Sequence, residues 1–302
     1  MWKLKRYKEA IDSYQQAIKL NSNYYRAHNG LGNAYKDLGQ YKQALDPYKE
    51  AIRLNPNLPA AYNGLGNALD KLAKHEEAID NYQQAIKLDP NYYHAHNGLG
   101  NALDNLGQHE KALEAYKEAI RLNPNLCDPY NGLGNVLFKL EKYEEAIDNY
   151  QQAIKLDPSY YHAHNGLGDV FQNLERYEEA FKAYEEAVKI NPDLPYTHCG
   201  LGNAFHRLER THEALASYSK AVEIKPDYCN AHNGLGNIEY KLRNYETAAA
   251  HYEKAIALHP ECPNPWRGKA DAIWSFQGID QAITFCEKSI LELQQKGEAF
   301  KE

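Results

Sequence analysis

Phenylalanine and methionine are scarce in this chain. Its 302 residues include 7 Phe and 1 Met against 25 Tyr. Each tyrosine carries a hydroxyl that must reach water or a polar partner when its ring is buried. A deep, dry interior built mainly from such residues is therefore excluded. A thin, layered body, with few side chains far from solvent, suits them. Cysteine is sparse as well. Cys127, Cys199, Cys229, Cys262 and Cys286 are odd in number, far apart and without a C-x-x-C pair. They fit free thiols in a reducing compartment better than a disulfide framework or a zinc site.

Other absences narrow the function. No apolar run approaches the roughly 20 residues of a membrane helix. The basic N-terminus, Met1 to Arg6, has no apolar stretch behind it, so no signal peptide is read. A cytoplasmic location and no membrane partner are expected. The formal charge of -7 argues against nonspecific binding to nucleic acid, which needs cations to displace phosphate counterions. No Ser/His/Asp set, phosphate loop or carboxylate pair stands out, so no catalysis and no cofactor are expected. Gly-x-Gly recurs, but a dinucleotide loop would need a third glycine and a preceding strand.

What the chain does have is repetition. Asn29-Gly30-Leu31-Gly32-Asn33 returns as Asn63 to Asn67, Asn97 to Asn101 and Asn131 to Asn135, and begins again at Asn165, Cys199 and Asn233, always 34 residues on. A fixed period of this length means stacked supersecondary units. Residues 1–24 read as the second helix of an incomplete first repeat. Seven full units follow: 25–58, 59–92, 93–126, 127–160, 161–194, 195–228 and 229–262. Residues 263–302 read as a degenerate terminal repeat, or cap, and a tail that frays from Gln294. Its departures are Lys269 in a Leu place and Cys286 in a Tyr place.

Each unit reads as two helices. In 25–58 the first runs to about Leu38. The second runs from Tyr41 to Leu54, with Tyr41, Ala44, Leu45, Tyr48, Ala51 and Ile52 as a helical apolar stripe. Proline ends each unit, from Pro56 to Pro260, where the chain must stop and turn. The turn between the helices holds Gly39 and Gly107. In other units the same place holds Ala73, Glu141, Glu175, Glu209 or Arg243, so no positive φ is expected there. Junctions alternate between Tyr-Tyr and Leu-Pro or Leu-Cys, which reads as growth by copying pairs of units.

Tyr62, Leu65, Gly66, Leu69, Ala78, Tyr82, Ala85 and Pro90, repeated as Tyr130, Leu133, Gly134, Leu137, Ala146, Tyr150, Ala153 and Pro158, resemble the tetratricopeptide repeat family. The resemblance covers nearly the whole chain. It implies an all-α, right-handed α-solenoid of 34-residue helix-turn-helix repeats, with first helices lining a concave groove. It implies a noncatalytic scaffold that binds peptides or partner proteins. Two departures stand out. His28, His96, His164, His198 and His232 replace the first aromatic. Gly30 and its equivalents occupy the place of the usual Asn before Leu-Gly. Two helical glycines should each cost about 1 kcal/mol relative to Ala. Close packing, or close approach of a ligand backbone, could justify them.

The two asparagines of each motif are four residues apart and so share a helix face. Stacking makes two rows: Asn29, Asn63, Asn97, Asn131, Asn165 and Asn233, and Asn33, Asn67, Asn101, Asn135, Asn203 and Asn237. Cys199 and Asp169 fill the gaps. An amide offers a donor and an acceptor, which suits an extended peptide backbone. The rows resemble the asparagine ladder of the tetratricopeptide superhelix in O-GlcNAc transferases. Phe138, Tyr196, His206, Arg207, Tyr240 and Lys241 gather in the C-terminal half as candidate specificity residues, because aromatics and Arg dominate binding hot spots. They suit an aromatic or acidic anchor. The family's carboxylate clamp for chaperone tails needs Lys and Arg where Asn29 and Gly64 stand, so that binding is not expected. His94/His96 and His162/His164 invite a metal reading, but residues two apart on a helix point apart.

Three functions remain open at this point. The first is a scaffold binding an extended segment of unidentified sequence in its groove. The second is the recognition part of a larger enzyme, such as a glycosyltransferase. The third is a structural spacer that self-associates end to end through the incomplete N-terminal repeat, where Trp2, Tyr14 and Ile18 would lack cover.

Overall fold

The computed structural model describes the backbone of residues 2–299 and the side chains of 6–290. All regular structure among them is helical. α1 (Trp2–Leu20) precedes seven helix pairs: α2 (Tyr25–Asp37) and α3 (Tyr41–Leu54), α4 (Pro59–Lys71) and α5 (His75–Leu88), α6 (Tyr93–Asn105) and α7 (His109–Leu122), α8 (Cys127–Lys139) and α9 (Tyr143–Leu156), α10 (Tyr161–Asn173) and α11 (Tyr177–Ile190), α12 (Pro195–Arg207) and α13 (Thr211–Ile224), α14 (Cys229–Lys241) and α15 (Tyr245–Leu258). The last pair is α16 (Pro263–Gln277) and α17 (Ile279–Ala299). The fold is an α-solenoid of helix-turn-helix units, and the chain divides into two compact units, Met1–Pro158 and Ser159–Glu302.

Local chemistry sets the helix ends. Asn55, Asp89, Asn123 and Asn191 each accept, through Oδ1, the N–H two residues on. These Asx turns bend the chain at the Asn/Asp-Pro junctions. Pro59, Pro195 and Pro263 then stand in the first helical turn, where an N–H has no helical partner to lose.

The turn inside each pair corrects the sequence reading. Gly39 and Gly107 have φ of 74° and 72°, and Ala73, Glu141, Glu175, Glu209 and Arg243 have φ between 57° and 63°. All seven are left-handed. The cause is a Schellman closure. In the α2–α3 turn, Gln40 N–H donates to Tyr35 O and Gly39 N–H to Lys36 O. Lys142 to Leu137 and Glu141 to Phe138 repeat the pattern. Those bonds hold five non-glycine residues in a conformation costing roughly 1–2 kcal/mol each. The residue type at that place varies while the backbone does not.

Small residues let the helices close up. Ala44, Ala51, Ala78 and Ala85 are fully buried, as are Ala214 and Ala221 in the second compact unit. Against them lie tyrosines with almost no exposure: Tyr48, Tyr82 and Tyr116 in the first unit, Tyr184 and Tyr218 in the second. Each ring fills a slot between two glycines. A Cβ on Gly100 would stand 2.7 Å from the Tyr116 ring, and one on Gly132 2.5 Å from the same ring. Gly100 belongs to the same helix pair and Gly132 to the next. Close packing is thus the reason for the glycine before Leu-Gly. The motif's helix penalty is the steric condition for seating a whole phenol ring between two helices.

The ends depart from this pattern. Tyr14 and Ile18 on α1 are half-buried, with the Tyr14 ring against Gly30; the Trp2 side chain lies outside the described residues. In the terminal pair, Gly268 packs on Tyr252, and Lys269 pairs with Glu253 and covers the Phe285 ring. Cys286 is exposed. The segment from Gln294 is helical through Ala299, and residues 300–302 lie outside the described residues.

Candidate functional site

The second asparagine of each motif is held by the buried tyrosine of its own helix pair. In the first compact unit, Tyr48, Tyr82, Tyr116 and Tyr150 Oη donate to Asn33, Asn67, Asn101 and Asn135 Oδ1 at 2.7–2.8 Å. In the second, Tyr218 and Tyr252 do the same to Asn203 and Asn237. Tyr184 donates to Asp169 Oδ1 at 2.6 Å, so the one acidic member of the row keeps the same bond. Desolvation pushes the phenols of Tyr48, Tyr82, Tyr116, Tyr184, Tyr218 and Tyr252 well above their ordinary range. They remain neutral donors.

The first asparagine behaves differently. Oδ1 of Asn29, Asn63, Asn97, Asn131, Asn165 and Asn233 is enclosed and accepts no hydrogen bond. Cys199, which interrupts this row, is buried, and burial pushes its thiol up to about 12. In neither row does Nδ2 donate to another described residue. With Oδ1 bonded in one row and enclosed in the other, Nδ2 is the amide atom left without a partner among the described residues, where the sequence suggested equal donors and acceptors; Asn63 and Asn165 of the first row are themselves buried.

In the first compact unit, Asn67 and Asn101 line one recess with Lys36, Asp70 and Lys71. Its acids are already engaged. Lys36 Nζ pairs with Asp37 at 3.2 Å and His75 bonds Asp70 at 2.7 Å; in the next helix pair, outside this recess, His109 bonds Asp104 at 3.1 Å, and Lys139 Nζ reaches both oxygens of Asp104 at 2.8 Å.

In the second unit, Asn203 and Asn237 line a recess with Tyr177, His206 and Arg207. Beside it, Asn233, Asn237 and His206 meet Tyr240 and Arg267. The Arg207 guanidinium donates twice to Tyr177 Oη, at 2.6 and 2.9 Å. Tyr196, though 47% exposed, is held by its hydroxyl on Asp169 Oδ2. Desolvation raises the Asp169 carboxyl against the hydrogen bonds from Tyr184 and Tyr196. Enclosure, then Lys241 and Arg207, lowers the His206 imidazole, and its Nδ1 has no partner. Gln172 Oε1 in the same recess is also enclosed without one. Five of the six candidate specificity residues belong to the second compact unit. Phe138 lies in the first, against Tyr143.

The histidine pairs separate as their spacing predicts. His94 is exposed against the Tyr93 ring, whereas His96 Nε2–H donates back to Pro90 O at 3.0 Å. His198, His232 and Trp266 make the same bond to Pro192, Pro226 and Pro260. These side chains close the junction between repeats. Among the described residues no group of three or more His, Cys, Asp or Glu could hold a metal ion, and no helix is long and apolar enough to cross a membrane.

Sequence reasoning missed the tyrosine behind the second asparagine row. The constant spacing of 15 residues, Asn33 to Tyr48 and onward, was the available signal. It also missed His75 and His109, which reach Asp70 and Asp104 five residues back across the turn.

One family model, described as TPR repeat, matches residues 3–39, 32–73, 134–175, 168–209 and 208–242. Three described as tetratricopeptide repeat match 63–126, 115–148 and 229–262. Together the matches run from 3 to 262. No curated protein sequence matches the chain. Among solved structures it is similar to the APC/C hetero-tetramer Cut9-Hcn1, with TM-score 0.74, 17% identity and coverage of 88% of this chain and 52% of that one. It is similar to pilF of Pseudomonas aeruginosa (TM-score 0.64, 19% identity, 70% of this chain and 97% of that one) and to yeast Tom70 (TM-score 0.59, 18% identity, 96% and 60%). The chain spans about half the length of the Cut9-Hcn1 chain it matches. At these identities the likeness is one of fold.

Proposed function

The chain belongs to the tetratricopeptide repeat family, whose arrays are protein-interaction scaffolds, and we propose that it binds an extended segment of a partner protein along its asparagine rows. The carrying observation is the Tyr–Asn bond. By occupying Oδ1, each tyrosine fixes its amide and leaves Nδ2 as the donor. A row of such donors suits the main-chain carbonyls of an extended peptide, which any sequence presents. Each bond is worth roughly 0.5–1.5 kcal/mol net, so affinity comes from several together.

Specificity comes from the second compact unit. Arg207 and Tyr196 are exposed but already positioned by Tyr177 and Asp169, which lowers the ordering cost of binding. Arg207, with Lys241, acts on the neighbouring His206 and favours an acidic side chain on the ligand; Tyr196, at the other end of α12, favours an aromatic one. Affinity capture from the source cell compares wild type with Asn67→Ala/Asn101→Ala/Asn135→Ala and with Tyr196→Ala/Arg207→Ala. Loss of one partner in both variants supports the reading. Equal capture by all three proteins refutes groove binding, and loss confined to the asparagine variant refutes the anchor.

A further inference from the structure

Away from the asparagine rows, the first compact unit carries a cleft of about 780 Å³, within the ~300–1,000 Å³ range of ligand-binding clefts. α5 and α7 form its walls and α6 its floor. Leu99, Leu103 and Leu106 line the floor, with Ile79 and Ala115 on the walls. At about 100° per residue these leucines lie on roughly the opposite side of α6 from Asn97 and Asn101. The cleft and the groove are separate surfaces.

The rim is acidic on both walls. Glu76 and Asp80 stand on one side and Glu110, Glu114 and Glu118 on the other, with Lys111 as the one cation among the lining residues. Glu114 and Glu118 are paired to Lys117 and Arg121. Lys111 is turned to Gln108. Glu76, Asp80 and Glu110 have no ion-pair partner among the described residues.

An internal comparison sharpens the point. A cleft in the same register, 68 residues earlier, is floored by His28 and Leu31 and walled by Ile18, Pro47, Asp46 and Glu50. There the counterparts of Glu76 and Glu110 are Lys8 and Lys42. The apolar shape recurs, but the lining of the earlier cleft has carboxylates, Asp46 and Glu50, on one wall only; Asp12, the counterpart of Asp80, is not part of it.

We propose that the α5–α7 cleft is a second docking surface, and that its occupant is a partner protein's amphipathic helix with an apolar stripe flanked by Lys or Arg. A helix laid between two helices places its stripe on the leucine floor. Its flanking cations meet carboxylates on both walls, which steers encounter and fixes register. This reading stands independently of groove binding.

The test is a fluorescence-anisotropy titration of the full chain with a labelled synthetic Leu/Lys amphipathic helix of about five turns. Asp80→Lys/Glu110→Lys removes acid from the cleft. Asp193→Lys/Asp227→Lys makes the same change of net charge on exposed inter-repeat loops. The cleft variant should weaken binding at least about tenfold and the loop variant less than about threefold, with unchanged circular dichroism in both. Equal weakening by both, or no saturable binding by wild type, overturns the proposal. So does light scattering in which wild type self-associates and the cleft variant does not, because the occupant would then be a second copy.

Discussion

Tyr82 Oη donates to Asn67 Oδ1 at 2.8 Å, while the Tyr82 ring is seated between Gly66 and Gly98. One side chain thus joins two helix pairs and orients a groove amide. The glycine slot and the hydroxyl–amide bond occur together in the same way at Tyr48, Tyr116, Tyr218 and Tyr252.

Gly132→Ala tests the packing half. On helix propensity alone it would stabilise by about 1 kcal/mol. With the new Cβ 2.5 Å from the Tyr116 ring, overpacking should prevail and cost roughly 1–3 kcal/mol. The urea-unfolding midpoint decides the sign. A rise would show that the slot has room to spare.

The left-handed turns carry a removable strain. Glu141→Gly and Glu209→Gly should each stabilise by about 1 kcal/mol, because glycine pays no Cβ penalty at φ near 60°. The sites stand in different compact units and share no partner, so the double variant should be additive in thermal unfolding. A loss of stability would mean that the glutamate side chains contribute more than the backbone costs.

Asp169→Asn restores the residue found elsewhere in its row. Desolvation holds the Asp169 carboxyl above its ordinary value of 3.8. The folded state therefore favours its protonated form. The associated stability is complete below that ordinary value and is lost as pH rises through the higher folded value. An amide in its place would not titrate, so the variant should melt higher than wild type near neutral pH, with the gap narrowing in acid. A pH-independent difference in melting temperature would contradict the assignment.

Alkali should unfold the chain sharply. Six buried tyrosines are shifted up from 10.0, chiefly by desolvation. Their stabilising contribution is present below pH ~10 and falls above it, by up to ~1.4 kcal/mol per group per pH unit. Tyrosinate absorbance from the buried rings and loss of helical circular dichroism should rise together. Full tyrosine titration with intact helices would refute the burial.

The helix pairs were legible because their signals are local: a 34-residue period, apolar stripes and a proline at each junction. The turn conformation was not. Residues as unlike as Ala73, Glu141 and Arg243 share a backbone set by Schellman hydrogen bonds and not by side-chain type. The purpose of Gly98 was hidden because its partner, Tyr82, lies in the preceding repeat. The asparagine rows could be placed on one face from spacing alone, but their donor bias could not. It arises from a tyrosine hydroxyl in one row and an enclosed carbonyl in the other.

The most direct measurement is the affinity of the captured partner segment for Asn67→Asp/Asn101→Asp/Asn135→Asp, determined by calorimetry beside wild type. Aspartate keeps the acceptor for Tyr82, Tyr116 and Tyr150, as Asp169 does for Tyr184, and replaces each Nδ2 donor by a carboxylate oxygen, whose charge adds repulsion of ligand carbonyls to the lost bond. The expected result is an unchanged helical spectrum with affinity reduced at least about tenfold, from three lost bonds of roughly 0.5–1.5 kcal/mol each. Undiminished affinity with the fold intact would contradict recognition through the asparagine rows.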